Sequence, residues 1–218
     1  MNILAVIPAR HGSTRFPGKP LASVAGLPMI QRVYTRVATS GACDNVVVST
    51  DGERSAAFVR ELGGQTGMTS QNCPDGTMRC HEAVGALEAE GAKVDAVLNI
   101  QGDEPFVHPE QIAQLADMLR KPDAAVVTLA KSMPADPEIH SPHRVKVVRN
   151  LKGRAQMFSR SAIPHGDGPW LQHVGLYGFT RTALEALVQL SPTPLEQREK
   201  LEQLRWLDHG WRIDVGTT

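Results

Sequence analysis

Short apolar runs rich in β-branched residues recur along the chain, and turn residues bound each of them. These runs cover residues 3–7, 46–48, 96–100 and 125–129. The stretches between them place apolar residues three and four apart, which is the spacing of an amphipathic helix. Because strands alternate with helices, the first ~130 residues predict an α/β fold built from βα units on a mostly parallel sheet.

One of the predicted helices begins at Pro109, a residue type favoured at the first position of a helix. Its inner face consists of Ile112, Leu115, Ala116 and Leu119.

The second half of the chain has a different character. Residues 145–148 and 155–158 flank a cluster of turn residues, which predicts a β-hairpin. Residues 174–179 and 211–215 are typical of further strands, and a single helix is predicted over residues 195–207.

Length and composition narrow the class of protein. We expect 218 residues to form a single domain over residues 1–218, with a smaller mixed β region at about residues 132–180. Lys+Arg and Asp+Glu number 23 each, and a net charge of zero argues against a nucleic-acid partner. The three cysteines lack C-x-x-C spacing and indicate free thiols in a reducing compartment. With no signal peptide or bilayer-spanning apolar run, the prediction is a cytoplasmic protein without a membrane partner.

The loop after the first strand is rich in cations. It contains Arg10, Gly12, Arg15, Gly18 and Lys19. Such a loop can offer backbone N–H groups and positive charge to a polyphosphate. It is not a Walker A motif, because five residues separate its glycines and proline follows its lysine, and it does not fit G-x-G-x-x-G. The alternative is a surface loop with solvated cations, but α/β proteins bind ligands where their strands end.

Asp103 follows the third apolar run, at the expected carboxyl end of a central strand. A carboxylate there is suited to Mg²⁺, which takes one or two carboxylates together with phosphate oxygens. An Asx turn or a helix cap explains the same residue equally well when it is considered alone. The cationic loop on the same sheet favours the metal.

Other candidate residues carry weaker signals. Gly76 and Thr77 precede a helical stretch as a turn and an N-cap, and Arg79 fits either a phosphate or base contact or an ordinary surface arginine. In the second half, Arg160 suits bidentate binding of a carboxylate. His173 and Tyr177 are four residues apart and share one face of a strand, although a lone histidine is more often structural.

Several segments of the chain resemble one enzyme family. Residues 7–10 and 18–21 resemble the signature of sugar nucleotidyltransferases. Later blocks resemble the 3-deoxy-manno-octulosonate cytidylyltransferases, or CMP-Kdo synthetases, in family order from residue 3 to residue 215. These blocks are residues 75–79, 101–105, 145–148, 158–164, 173–178, 194–196 and 201–205.

The resemblance implies an activity and an assembly. The activity is Mg²⁺-dependent transfer of CMP from CTP to 3-deoxy-D-manno-octulosonate (Kdo), which yields CMP-Kdo and pyrophosphate for lipopolysaccharide biosynthesis. The implied fold is a Rossmann-like nucleotidyltransferase fold, and the implied assembly is a homodimer formed through the 132–180 region, which also carries part of the sugar site.

The resemblance also implies roles by position. The nucleotide-binding set is Ala9, Arg10, Arg15, Lys19, Gly76, Thr77, Arg79 and Gln101. The catalytic set is Arg10, Lys19 and Asp103, and Asp103 also binds the metal. The sugar-binding set is Arg160, His173, Tyr177, Glu202 and Gln203, with Arg160 facing the carboxylate of the sugar acid.

This sequence departs from the family pattern in two places. The family continues past its last strand into a Gly-Val-Asp-Thr-Pro-Glu-Asp segment that supplies a second metal carboxylate. That segment is absent from this sequence, and Asp214 is a poor substitute for its carboxylate. We interpret the absence as an incomplete sequence, and the alternative is a protein that binds metal poorly. Residues 164–171 form a short loop with His165 at a position that is usually aromatic. These departures leave two alternatives open: a related acid substrate (8-amino-Kdo, a sialic acid or a pseudaminic acid), or a nucleotide-binding protein with impaired catalysis.

Overall fold

The protein is described by a computed structural model that covers residues 1–10, 16, 18–134 and 137–218. In these residues the strands are β1 (Ile3–Pro8), β2 (Ser23–Val24), β3 (Leu27–Pro28), β4 (Asn45–Thr50), β5 (Gln65–Met68), β6 (Ala96–Asn99), β7 (Val126–Met133), β8 (Lys146–Arg149), β9 (Ala155–Ser159), β10 (Trp170–Thr180) and β11 (Ile213–Thr217). The α-helices are α1 (Met29–Thr39), α2 (Glu53–Glu61), α3 (Gly76–Ala89), α4 (Pro109–Leu119), α5 (Arg181–Leu187), α6 (Pro194–Glu199) and α7 (Gln203–Asp208). None of the helices in this part of the chain is long and apolar enough to cross a bilayer.

The central sheet runs in the order β11-β7-β10-β6-β1-β4-β5. Strands β6, β1, β4 and β5 pair in parallel, as do β7 and β11. The α/β class with a mostly parallel sheet is therefore confirmed. The β8–β9 hairpin is also confirmed, and it joins the sheet through the pairing of β8 with β10.

The place of strand β10 in the sheet was not indicated by the sequence. It is inserted into the central sheet, where it pairs antiparallel with β6 on one side and with β7 on the other. Its position between them makes β6 and β7 parallel to each other. The carboxyl ends of β1, β4, β6 and β7 consequently lie at one edge of the sheet.

Helices cover both faces of the sheet, which explains why its strands are apolar on both sides. On β1, Leu4 and Val6 face a core shared with α3 and α5, whereas Ile3, Ala5 and Ile7 face a core shared with α1 and α4. The helix predicted from Pro109 spans Pro109–Leu119, and its four predicted inner residues are all buried.

The helix predicted over residues 195–207 is wrong as a single element. It is divided into α6 and α7, because Lys200 adopts a left-handed conformation with φ 54°. No glycine or proline marks this break, so apolar spacing alone indicated a continuous helix.

Gly178 is the position where β10 leaves no room for a side chain. A Cβ atom there would lie 2.7 Å from the side chains of both Leu119 and Val127, whereas a Cβ at Gly175 on the same strand meets no atom within 4 Å. We predict that Gly178→Ala lowers the free energy of unfolding by about 1–3 kcal/mol through overpacking. Gly175→Ala is the matched control, with a change within about 0.5 kcal/mol. Urea denaturation of both variants measures the difference, and equal stabilities would contradict the close packing of β10.

Candidate active site

A cleft of about 510 Å³ opens where β1 and β6 end and α3 begins. Of the residues that the sequence predicted for nucleotide or metal binding, the cleft is lined by Ala9, Arg10, Lys19, Gly76, Arg79, Gln101 and Asp103. Thr77 is buried in the first turn of α3. Arg15 lies outside the described residues. The fold therefore brings most of this predicted set together.

The pairing of β1 with β6 forms the floor of the cleft. These strands are parallel neighbours with Val6 opposite Asn99, so the segments that follow them emerge side by side. The backbone N–H of Gly102 donates to the Pro8 carbonyl at 3.2 Å. A Cβ at Gly102 would lie 2.6 Å from that same oxygen, so the close approach requires glycine.

Lys19 and Asp103 form an ion pair within the cleft. Lys19 begins a short 3₁₀-helix after Gly18, and Asp103 follows β6. Their side chains are 35% and 48% exposed, so solvent screens the pair and little free energy opposes an exchange of partners. Within the described ranges, no group of three or more His, Cys, Asp or Glu residues is arranged to hold a metal ion.

The amino end of α3 forms the wall of the cleft. The N-cap is Asp75, whose carboxylate accepts from the Met78 N–H at 2.8 Å, so the assignment of the cap to Thr77 was wrong. Asp75 is favoured because its side chain reaches this N–H from outside the helix. A Cβ at Gly76 would lie 3.3 Å from Nε2 of Gln101, which shows how closely that amide approaches the first turn of α3.

Arg79 is buried beneath this wall, with a relative exposure of 2%. Its guanidinium lies 3.7 Å from the carboxylate of Asp51 and donates to the hydroxyl of Thr69. Arg79 is therefore not an ordinary surface arginine. It ties α3 to the segments that follow β4 and β5.

The predicted sugar-binding residues lie outside the lining of this cleft. Arg160 donates from Nε to the Glu199 carbonyl (2.7 Å) and from its terminal nitrogens to the carbonyls of Pro142 (2.8 Å) and Lys200 (3.2 Å). Three of the five guanidinium N–H groups are thus bonded to backbone, and two remain for a ligand.

Lys146 supports the same region, and sequence reasoning did not identify it. It is fully buried, and its ammonium donates to the carbonyls of Ser141 (3.1 Å), Arg144 (2.6 Å) and Arg160 (2.5 Å). Burial lowers its pKa, and the carboxylate of Glu199 opposes that shift. It lies within a recognised sequence block, residues 145–148, but there the only sign of its role was a lysine inside an otherwise apolar strand.

His173 and Tyr177 belong to a row of aromatic rings. The His173 centroid lies 5.1 Å from that of Phe158 and 5.3 Å from that of Tyr177, and Tyr177 packs edge-on against Trp206. Burial lowers the pKa of His173 to about 3. Burial and the nearby Glu202 carboxylate raise the pKa of Tyr177 well above its usual range. Tyr177 is opposite Asn99 in the sheet, so this row reaches the strand that ends at the cleft.

Glu202 connects the two predicted subsites. Desolvation, followed by the charge of Asp75, raises its pKa to about 8, whereas a hydrogen bond with the Thr77 side chain and the charge of Arg205 oppose the shift. Gln203, the next residue, is buried.

Arg205 is a second connection that sequence reasoning missed. Its guanidinium binds the Glu196 carboxylate through two nitrogens (2.8 and 2.5 Å) and lies 3.8 Å from that of Asp75. It lies within a recognised sequence block, but only the fold shows that it links α7 to the cap of α3.

Asp214 lies away from the cleft, on β11, where its carboxylate is 3.2 Å from the guanidinium of Arg212 and 3.9 Å from that of Arg154. Asp214 therefore lies among arginines on the edge strand and not among the residues that line the cleft.

Comparisons with known proteins agree on one family. Residues 4–213 match the family model described as Cytidylyltransferase. The 3-deoxy-manno-octulosonate cytidylyltransferase of Parabacteroides distasonis is 43% identical over 232 residues, which cover 100% of this chain and 90% of that protein. The enzyme of the same name from Myxococcus xanthus is 47% identical over 213 residues, which cover 95% of this chain and 84% of that protein. A solved structure of a CMP:2-keto-3-deoxy-manno-octonic acid synthetase complexed with CTP has a TM-score of 0.92 and 37% identity, and covers 100% of this chain and 90% of that one.

The raised pKa of Glu202 predicts a pH dependence of stability. The pKa of Glu202 in the folded protein is about 8, above the ordinary value of 4.5. Its contribution to the free energy of unfolding is therefore fully present below pH 4.5 and is lost as the pH rises through 8. Glu202→Gln does not titrate. We expect its free energy of unfolding to rise relative to wild type by on the order of 2 kcal/mol between pH 5 and pH 8.5. Denaturation at both pH values measures this change. Glu61→Gln, at an exposed position, should show none, and a flat difference for Glu202→Gln would contradict the assignment.

Proposed function

Because the chain belongs to the 3-deoxy-manno-octulosonate cytidylyltransferase family, we propose that it transfers CMP from CTP to Kdo and releases pyrophosphate. The observation that carries this proposal is the convergence of Lys19, Asp103 and the amino end of α3 on one cleft at the carboxyl edge of the sheet. That location is where open α/β sheets bind their ligands.

We orient CTP in this cleft by the charged and polar residues that line it. Its triphosphate lies toward Arg10 and Lys19, the cations that line the cleft, and Arg15 is assigned to the same group by resemblance. The cytidine lies toward Gly76, where the amide of Gln101 can hydrogen-bond a base and Ala9 leaves room for the nucleoside. Thr77 and Arg79 hold the α3 wall of the cleft in place.

Mg²⁺ is part of the proposal, and Asp103 is the residue that would hold it. The fit rests on donor chemistry, since a single partly exposed carboxylate beside the phosphate-binding cations is what Mg²⁺ uses when phosphate oxygens and water complete its shell. When bound, the ion neutralises charge on the phosphates. Lys19, now paired with Asp103, would then bind a phosphate oxygen.

The chemistry asked of the protein is positioning and electrostatic stabilisation. The anomeric hydroxyl of Kdo attacks the α-phosphorus in line, and pyrophosphate leaves. Arg10 and Lys19 stabilise the negative charge that develops on the oxygens of the leaving group. We assign the sugar acid to the region beside Tyr177 and Glu202, with the two unbonded N–H groups of Arg160 for its carboxylate. His173 and Gln203 complete this set.

We also propose that two chains form a homodimer through the β8–β9 hairpin. Leu151 at the hairpin tip is fully exposed. Beside it, a groove of about 510 Å³ is lined by Val147, Pro164, Pro169 and Leu171 among others. An exposed apolar side chain beside a groove of mixed apolar and polar residues is typical of a protein–protein contact.

The cellular role follows from the product. We propose that CMP-Kdo made by this protein supplies lipopolysaccharide biosynthesis, and that the protein acts in the cytoplasm. All three cysteines are free thiols, which suits a reducing compartment.

The test of function is pyrophosphate release from CTP and Mg²⁺, measured with and without Kdo. We expect release only when both substrates and the metal are present, and EDTA should abolish it. If pyrophosphate is released faster with 8-amino-Kdo, a sialic acid or a pseudaminic acid than with Kdo, that acid is the substrate and Kdo is not. Binding of CTP without release of pyrophosphate would show a nucleotide-binding protein that does not catalyse the transfer.

The matched variants are Asp103→Asn, in the cleft, and Asp123→Asn, at an exposed position at the opposite end of the sheet. Loss of the carboxylate should lower turnover by on the order of a hundredfold or more without changing the fold, since no core packing is removed. Asp123→Asn should match wild type. Full activity in Asp103→Asn would remove that residue from the mechanism.

The test of assembly is sedimentation equilibrium. We expect twice the mass of one chain for the wild type, because the apolar hairpin tip is buried against a second copy. Leu151→Asp should shift the equilibrium toward one chain by placing a charge in the contact. The control is Leu27→Asp, at another exposed apolar position, which should remain dimeric. A wild type that sediments as one chain would refute the assembly.

A further inference from the structure

Strand β10 contains an irregularity beside β7 that the proposed reaction does not explain. Val174 is opposite Leu129 and Tyr177 is opposite Thr128, so two residues of β10 have no opposite number on β7. Such a bulge interrupts the ladder of backbone hydrogen bonds. The fully buried hydroxyl of Thr128 fills the interruption, at 2.7 Å from the Leu176 carbonyl and 3.3 Å from the Val174 carbonyl.

The same hydroxyl lies 2.9 Å from Nε2 of His173. A threonine hydroxyl has one proton and two lone pairs, and here both carbonyls can only accept. Its proton is therefore committed to a carbonyl, with the 2.7 Å distance to Leu176 typical of a good O–H···O bond. Nε2 of His173 must then carry a proton and donate it to the hydroxyl oxygen. The bulge consequently determines which nitrogen of the imidazole is protonated.

The other nitrogen of the ring, Nδ1, is left with a lone pair. Within the described part of the chain, the contact of Nε2 with Thr128 is the one hydrogen bond of this ring. Phe158 and Tyr177 hold the ring from two sides, so its orientation is restricted. The pKa of about 3 that burial imposes agrees with a ring that stays neutral at the pH of the cytoplasm. A neutral ring with a free lone pair repels a carboxylate and attracts a hydroxyl group.

We propose that Thr128 is a positioning residue that holds His173 in its Nε2–H form, so that Nδ1 accepts a hydrogen bond from a hydroxyl group of the sugar acid. The inference rests on the proposed function for its ligand, since it assigns His173 to the sugar side. It divides the recognition of the substrate between two residues. Arg160 takes the carboxylate, and His173 takes a hydroxyl and excludes a second anionic group from its position.

The first test needs no substrate, so it is independent of the proposed function. Long-range ¹H–¹⁵N NMR spectra of the wild-type protein distinguish the two neutral forms of a histidine ring, and the signals absent from His173→Gln identify His173. We expect the Nε2–H pattern, unchanged between pH 8 and pH 5. An Nδ1–H pattern, or a ring that becomes positively charged in this range, would overturn the proposal.

The second test uses two substitutions of Thr128. Thr128→Val removes the hydroxyl at nearly constant size, and Thr128→Ser keeps it. We expect the valine variant to show a mixture of ring forms and a KM for Kdo raised about tenfold, the loss of one hydrogen bond, with the KM for CTP within about twofold of wild type. The serine variant should retain the wild-type ring form and KM values.

Equal rises of both KM values in Thr128→Val would assign Thr128 a purely structural role and overturn the proposal. If the valine variant does not fold, the wild-type spectrum and the serine variant still decide the outcome. If the wild type releases no pyrophosphate from CTP in the presence of Kdo, the proposed function fails. The Nε2–H assignment is still decided, because it depends on the spectrum alone.

Discussion

The antiparallel insertion of β10 between β6 and β7 is the constraint on which the site depends. Its pairing places Tyr177 beside Asn99 on one side and beside Thr128 on the other. The aromatic row on β10 therefore begins next to the strand that ends at the nucleotide cleft. Close packing at Gly178 fixes the position of β10 relative to α4, β6 and β7. One side chain from each of these elements lies within 3.0 Å of the position that a Cβ atom would take.

Two kinds of partner stabilise the positively charged side chains around the site. Some donate to backbone carbonyls, and others pair with carboxylates. Lys146 and Arg160 each donate to three carbonyls, which makes buried or half-buried cations tolerable without a direct ion pair to a carboxylate among the described residues. Lys19 and Arg205 instead pair with carboxylates. The carbonyl-bound cations form a rigid support. Of the two carboxylate pairs, the one between Lys19 and Asp103 is exposed in the cleft, so its members can change partners.

Local sequence patterns predicted many of the secondary-structure elements but few of the long-range contacts between them. β-Branched runs and helical spacing are local, so β1, β4, β6 and α4 could be read directly. The insertion of β10 is set by pairing between residues about 80 apart, Tyr177 with Asn99, which no window of sequence contains. The break at Lys200 carries no glycine or proline. The lining of the cleft was predictable because Ala9, Gln101 and Asp103 follow strands and Gly76 begins a helix. Thr128, Lys146 and Arg205 instead act through contacts that exist only after folding.

The break at Lys200 has a consequence for Arg160. A helix leaves its last carbonyls without partners, and two such carbonyls at the end of α6, those of Glu199 and Lys200, accept from the guanidinium of Arg160. Arg160 is thus the C-terminal cap of α6 as well as the candidate anion ligand. A substrate that draws the guanidinium away must uncap the helix, at about 0.5–1.5 kcal/mol for each hydrogen bond lost. A substrate that uses only the two remaining N–H groups leaves the cap intact, so the fold itself favours an anion that binds to those two groups.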